Sequence, residues 1–163
     1  VSVPRQADHE MSSIPYSIRE DLKTLLTSAS LSGISASNIK IRMLPKIGET
    51  LDAVPSVLIC GTGEIKSRAI DMEGNFNREY LNQIVIVDAL DGDFATNEDA
   101  YKEWQSRAMN KIDKDQNGQA RNSLPSVSGC WSVEIVGAAT FDRSKLSEYY
   151  AYQGIVVRVQ VVE

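Results

Sequence analysis

From residue 18 onward the apolar positions recur at helical spacing: Ile18, Leu22, Leu25, Leu26 and Ala29 fall on one stripe. Just upstream, Ser17 and Glu20 match the S-x-x-E capping box, in which hydroxyl and carboxylate each satisfy a backbone N–H of the first turn. The spacing therefore predicts a helix over residues 18–29, stopped at Gly33. Residues 1–15 carry Pro4 and Pro15, are polar and show no period. They read as a flexible N-terminal arm ahead of a single domain spanning 16–163.

The period then shortens to two. Ile39, Ile41 and Met43 alternate with Lys40 and Arg42, a half-buried strand stopped by Pro45. Val57, Leu58, Ile59 and Cys60 are apolar without interruption, as expected of a central strand covered on both faces. Residues 64–71 form a weaker strand candidate, with a turn at Gly74-Asn75. Residues 80–88 (YLNQIVIVD) form a clear strand whose buried part is Ile84 to Val87. A second helix follows, with Thr96 as N-cap and Glu98 and Asp99 in the electropositive first turn. Tyr101, Trp104, Ala108 and Ile112 form its apolar stripe, while Glu98–Lys102 and Glu103–Arg107 are i,i+4 pairs on the exposed side. After a polar loop over 113–128, Trp131, Val133 and Ile135 alternate in one strand, and Ile155, Val157, Val159 and Val161 alternate in another. A short helical turn around 141–148 is expected between them.

Strands arriving in runs, without regular βαβ alternation, define an α+β class: a mainly antiparallel sheet of four to six strands packed against two main helices. The expected core joins Leu22, Leu25, Trp104 and Ile112 to Val57, Ile59, Ile84, Ile86, Val157 and Val159 on one face of that sheet.

Composition narrows the function. The 163 residues include 17 Lys+Arg and 22 Asp+Glu, a net charge of −5, which disfavours a dedicated nucleic-acid binder because phosphates need a basic surface. No apolar run approaches the ~18 residues of a membrane-spanning helix, and VSVPRQADHE lacks the apolar core of a signal peptide. Cys60 and Cys130 sit in apolar runs and read as small buried hydrophobes in a reducing cytosol, with a disulfide the lesser alternative. The single histidine, His9, falls in the arm, which argues against a histidine-based triad or a His-rich zinc site.

Four local patterns invite chemistry. Asp113-Lys-Asp115-Gln-Asn117-Gly118 matches the first six positions of a calcium loop. Leu124 stands where the bidentate Glu belongs and Ala120 where a β-branched residue is usual, so the segment reads as a polar turn, with weak calcium binding as the alternative. Asp88, Asp91, Asp93, Glu98 and Asp99 form an acidic cluster that suits either a helix N-terminus or an acidic functional surface; a magnesium or acid–base site lacks a nucleophile and a histidine beside it. Gly61-Thr-Gly63-Glu-Ile-Lys66-Ser67 lacks the phosphate-loop spacing, since Lys66 follows Ile65 and not a glycine. Tyr149, Tyr150 and Tyr152 lead into the last strand, where alternation places only Tyr150 and Tyr152 on one face. Sheet packing or a subunit contact is their expected role.

The segments SIREDLKTLLTSAS, NIKIRMLP, VPSVLICGTG, QIVIVDALDGD, EDAYKEWQSRAMNKI and YAYQGIVVRVQVVE follow one another over residues 17–163. Their order resembles that of the tail terminator or neck (head–tail completion) proteins of tailed bacteriophages. The resemblance lies in arrangement and carries no functional residue over by position. It implies a structural virion protein of the tail and neck, without catalytic, cofactor or metal residues, assembled in the host bacterial cytoplasm. Such a subunit forms a homo-oligomeric ring, commonly a hexamer, that caps the tail tube and meets a head-side connector or head-closure protein. DNA passes through it without tight binding, which an acidic balance favours. Two alternatives from other classes remain: a small cytosolic metal-dependent enzyme using the 88–99 carboxylates, and a calcium-binding module using the 113–118 loop.

Overall fold

Ile155, Val157, Val159 and Val161 are all fully buried, so the period-two reading of the last strand fixes one face of the sheet. The structure is a computed structural model that describes residues 13–42, 54–89, 98–139 and 150–163. The expected arm as far as residue 12, the strand end at Met43 and Pro45, the Thr96 cap and the turn around 141–148 lie outside the described residues.

The elements are α1 (Ile14–Ser28), β1 (Ile39–Arg42), β2 (Ser56–Ala69), β3 (Phe76–Ala89), α2 (Glu98–Asp113), β4 (Cys130–Ala139) and β5 (Tyr150–Val162). The five strands form one sheet in the order β1-β2-β3-β5-β4. β1 runs parallel to β2, and every other pairing is antiparallel, which is the expected α+β architecture. The weak strand candidate at 64–71 is the continuation of β2 beyond a register shift between Gly61 and Ile65, and Gly74 takes a positive φ in the turn to β3.

Both helices pack on one face. Ile18, Leu22 and Leu26 of α1 and Tyr101, Trp104, Ala108 and Ile112 of α2 join Val57, Ile59, Ile84, Ile86, Val157 and Val159 in a single core. Leu25 is only half-buried; Leu26 takes the core position, because the buried row advances in steps of four from Ile14. On the opposite face Leu58, Cys60, Val85, Val87 and Tyr152 form a second cluster, joined by Tyr150. The continuous apolar run at 57–60 thus faces two cores, and the two tyrosines share a face as alternation requires.

Three boundaries differ from expectation. α1 begins a turn early: Ser13, not Ser17, is the N-cap, accepting from the Tyr16 N–H at 3.4 Å. Pro15 therefore belongs to the first helical turn, where its missing N–H costs nothing, and not to an arm. Glu20 bonds the Tyr16 hydroxyl instead of closing a capping box, and this contact raises the tyrosine pKa. The helix also ends before Gly33, since Ser30 adopts the left-handed conformation with a φ of 54°. In β4 a register shift between Cys130 and Ser132 leaves Trp131 out of the alternation, so its ring is 49 % exposed while Val133 is buried.

The polar loop after α2 hides two core residues, Leu124 and Val127. Asp21, buried on α1, holds this loop by accepting from the Ser126 N–H and hydroxyl, both at 2.8 Å. Gly129 then brings the chain onto β5: its carbonyl accepts from Val162 N–H at 2.9 Å, and a Cβ there would meet the Val162 oxygen at 2.3 Å.

Trp104 anchors α2. Its indole N–H donates to the Ser32 carbonyl at 2.6 Å, and its ring meets Tyr101 edge-on with centroids 4.9 Å apart. Trp104→Ala is expected to lower unfolding free energy by about 3–5 kcal/mol, read from denaturant melts. A loss below ~1 kcal/mol would place that helix face against solvent.

Candidate functional site

The helices cover only part of their face. Following the row of core residues down β3, Ile86, Ile84 and Tyr80 are buried, but Phe76 is 37 % exposed, and Ile65, paired with Tyr80 across the hairpin, is 54 % exposed. The β2–β3 hairpin therefore projects beyond the helix layer. At its tip Ile70 is 53 % exposed and Met72 wholly so.

The opposite face of this end holds an open groove of 640 Å³ lined by Trp131, Val162, Ile70, Arg68, Lys66 and Glu79, among others. The Trp131 indole donates to Asn77 Oδ1 at 2.7 Å, and Asn77 Nδ2 donates to Gln160 Oε1 at 3.1 Å. This chain of bonds fixes the half-exposed ring against the sheet. Arg158 pairs with Glu134 at 2.6 Å along the same face, which raises the arginine pKa further. The hairpin end thus exposes apolar side chains on both faces, interspersed with Lys66, Arg68, Arg78 and Glu79, a mixed composition that an interaction surface would have.

Its shape is held by side chains around the turn. Asp71 accepts from the Glu73 N–H at 2.8 Å, the Asn75 N–H at 3.3 Å and the Asn75 amide at 2.7 Å, and the Asn75 bond foremost holds its pKa below the ordinary 3.8. On β3 the Arg78 guanidinium lies 5.9 Å from the Phe76 ring centroid and 3.4 Å from the Glu163 carboxylate, which also accepts from the Tyr80 hydroxyl at 2.6 Å. Burial first, and then Glu163, pushes the Tyr80 pKa up.

Where they are described, the residues that suggested chemistry are engaged in structural contacts. In the 113–118 segment Asp115 accepts from the N–H groups of Asn117 and Gln119 at 2.8 and 3.0 Å, and Gly118 adopts a positive φ. Arg121 closes the same turn, donating to the carbonyls of Ile112, Lys111 and Lys114. Leu124, at the twelfth position, points into the core. Asp88 stands apart from any acidic surface, because it is buried, accepting from the Tyr101 hydroxyl and the Ala89 N–H. Asp99 is exposed on α2, whereas Asp91 and Asp93, like His9 and Tyr149, lie outside the described residues. Gly61 and Gly63 sit at the β2 irregularity, Gly61 against Arg19 of α1. Cys60 and Cys130 are not joined by a disulfide; they belong to opposite faces of the sheet, and burial raises the Cys130 pKa.

Among the described residues, no group of three or more His, Cys, Asp or Glu side chains is placed to hold a metal, and no helix is long and apolar enough to cross a membrane. No family model matches the sequence, and no curated protein matches it.

The exposed hairpin residues were missed because Ile65 and Ile70 lie in a stretch where lysine and arginine obscure the alternation. One signal was available: the strand patterns run on beyond what two short helical stripes can cover. Asp21 had a clearer one, since it falls inside the apolar row between Ile18 and Leu22.

Millimolar calcium is expected to leave the melting temperature unchanged, because Asp115 is spent on the turn and Leu124 on the core. A calcium-induced rise abolished by Asp113→Ala would contradict that assignment. A second expectation concerns acid. Since folding lowers the Asp71 pKa, the turn is fully stabilised above 3.8 and loses this contribution as pH falls through the folded value. NMR should show Asp71 titrating below 3.8, with the Glu73 and Asn75 amides losing protection in the same range and Asp71→Ala removing the step.

Proposed function

We propose that this chain is a ring-forming structural subunit of the tail terminator or neck class of tailed bacteriophages. In this role it caps the tail tube, meets the head-side connector and lets DNA pass. The observation that carries the proposal is the hairpin end, where Ile65, Ile70, Met72 and Phe76 are all exposed on a hydrogen-bonded extension of the sheet, with Trp131 of β4 exposed at the same end. Isolated exposed apolar side chains are ordinary, but a concentration on one projecting element marks a surface built to be covered. The element order, a leading helix and three strands followed by a helix and two strands, is the order that suggested the class. Its groove-and-projection geometry also suits heterologous contacts, in which one patch of a subunit meets a different patch of the next and the rotation closes a ring.

Such a contact requires roughly 800 Å² per partner for specific association. The net charge of −5 supports the duct, since a channel that gripped phosphates would stall the DNA it transmits. Size-exclusion chromatography with light scattering tests the ring, and co-sedimentation with tail-tube protein of the same virus tests its place. A closed oligomer that adds to tube ends, with no tight duplex binding at moderate salt, is the expected result. A chain that stays monomeric at high concentration and beside tube protein, or that binds duplex DNA tightly, overturns the proposal.

A further inference from the structure

A second cavity of 640 Å³ lies on the outer side of the helix layer, between α1, α2 and the loop that follows α2. Its floor is apolar, made by Leu25, Ala29 and Pro125. Its rim is basic, which is notable in a chain with a net charge of −5. Arg107, Lys111, Lys114 and Arg121 border it against two carboxylates, Asp21 and Asp115, and both of those already accept hydrogen bonds within the fold. Arg121 is likewise committed to three carbonyls, and Arg107 to Glu103 at 2.5 Å and the Ser30 carbonyl at 3.1 Å. The Lys111 and Lys114 ammonium groups have no partner among the described residues.

The hairpin tip is the converse surface. It presents Met72, wholly exposed, between Asp71 and Glu73, with Ile70 and Phe76 behind it. Asp71 bonds Asn75 and the turn but keeps its negative charge, and Glu73 is exposed with its carboxylate free of any described ion pair. Methionine is the side chain best able to fill an irregular apolar floor.

We infer that the acidic β2–β3 hairpin tip, residues 70–76, docks into the basic cleft between the helices of a second copy of this chain. Met72 lies over Leu25, Ala29 and Pro125, and Glu73 meets Lys111 and Lys114. No residue of the tip lines the cleft, so the contact is head-to-tail and propagates from copy to copy. It rests on the ring reading above and names the surfaces that would build the ring. Charge on both sides also fixes direction, since tip against tip and cleft against cleft repel.

The test is a charge exchange in the full chain. Glu73→Lys alone, and Lys111→Glu with Lys114→Glu, are expected to weaken self-association by about tenfold or more in sedimentation velocity. Combining all three substitutions should restore it, while circular dichroism and thermal melts of each variant stay as in the parent. Met72→Asp should also dissociate the assembly. Wild-type oligomers whose mass and affinity ignore the reversals overturn the tip-in-cleft contact and leave the ring intact. Loss of assembly in the reversals without rescue in the combined variant also overturns the contact. A wild-type chain that never associates overturns both.

Discussion

Strand β3 is hydrogen-bonded along almost its whole length on both sides, to β2 and to β5, and the remaining structure depends on that continuity. Its residues Asn77 to Ala89 pair without a break with Val162 to Tyr150 of β5. At about 3.3 Å per residue such a strand spans roughly 46 Å, longer than either helix can cover. The upper half carries the two-sided core, with Ile84 and Ile86 beneath the helices and Val85 and Val87 in the second cluster. The lower half carries the projecting hairpin. Because one uninterrupted ladder serves both, the hairpin end is not a loose loop but an extension of the core's own sheet, and a load on its tip is transmitted to the packed interior. The bulge between Gly61 and Ile65 adjusts β2 to this course without interrupting β3.

Buried polar groups complete the attachment of the helices. Asp88 on β3 receives the Tyr101 hydroxyl, and Gln153 on β5 donates to the Tyr101 carbonyl at 2.9 Å. Together with the indole bond from Trp104 to Ser32, these tie the start of α2 to two central strands and to the chain after α1. Asp21 performs the equivalent service for the loop that covers the far end of the core. A buried carboxylate left without such donors would cost several kcal/mol, so each of these residues is a point where a substitution propagates. That is also why the carboxylates most suggestive of chemistry, Asp88 and Asp115, do structural work: both oxygens of Asp88 and Oδ1 of Asp115 already accept from partners whose release would unlatch a helix or a turn.

What could be read from pattern alone followed burial. Ile155 to Val161 and Tyr101 to Ile112 each repeat at the period of their element and touch a continuous core, so alternation and helical spacing identified them directly. The failures fall where a local device overrides the period. A single bulge took Trp131 out of the alternation expected with Val133 and Ile135 and left it exposed, and a proline compatible with a first helical turn moved the cap of α1 from Ser17 to Ser13. Asp88 could not be separated from the acidic residues after it, because its environment is created by Tyr101, thirteen positions away on another element. The exposed apolar end of the hairpin was least visible of all. An apolar side chain awaiting a partner and one already buried have the same sequence pattern, and only the extent of the helix layer tells them apart.

That distinction bears on how strong a hairpin contact can be. Fully burying an aliphatic or aromatic side chain contributes on the order of 1.5–3 kcal/mol, whereas association costs about 4–15 kcal/mol in lost freedom. Met72 and Ile70 alone therefore cannot hold two copies together. Phe76, already partly covered, adds only a fraction of such a contribution, so neutralising Glu73 against a lysine pair decides the balance. A closed ring relaxes the requirement further, because each subunit is held at two interfaces and leaving means breaking both. Weak head-to-tail contacts of mixed apolar and charged character are therefore consistent with a stable ring. Their dependence on charge means that screening by salt acts on every interface at once.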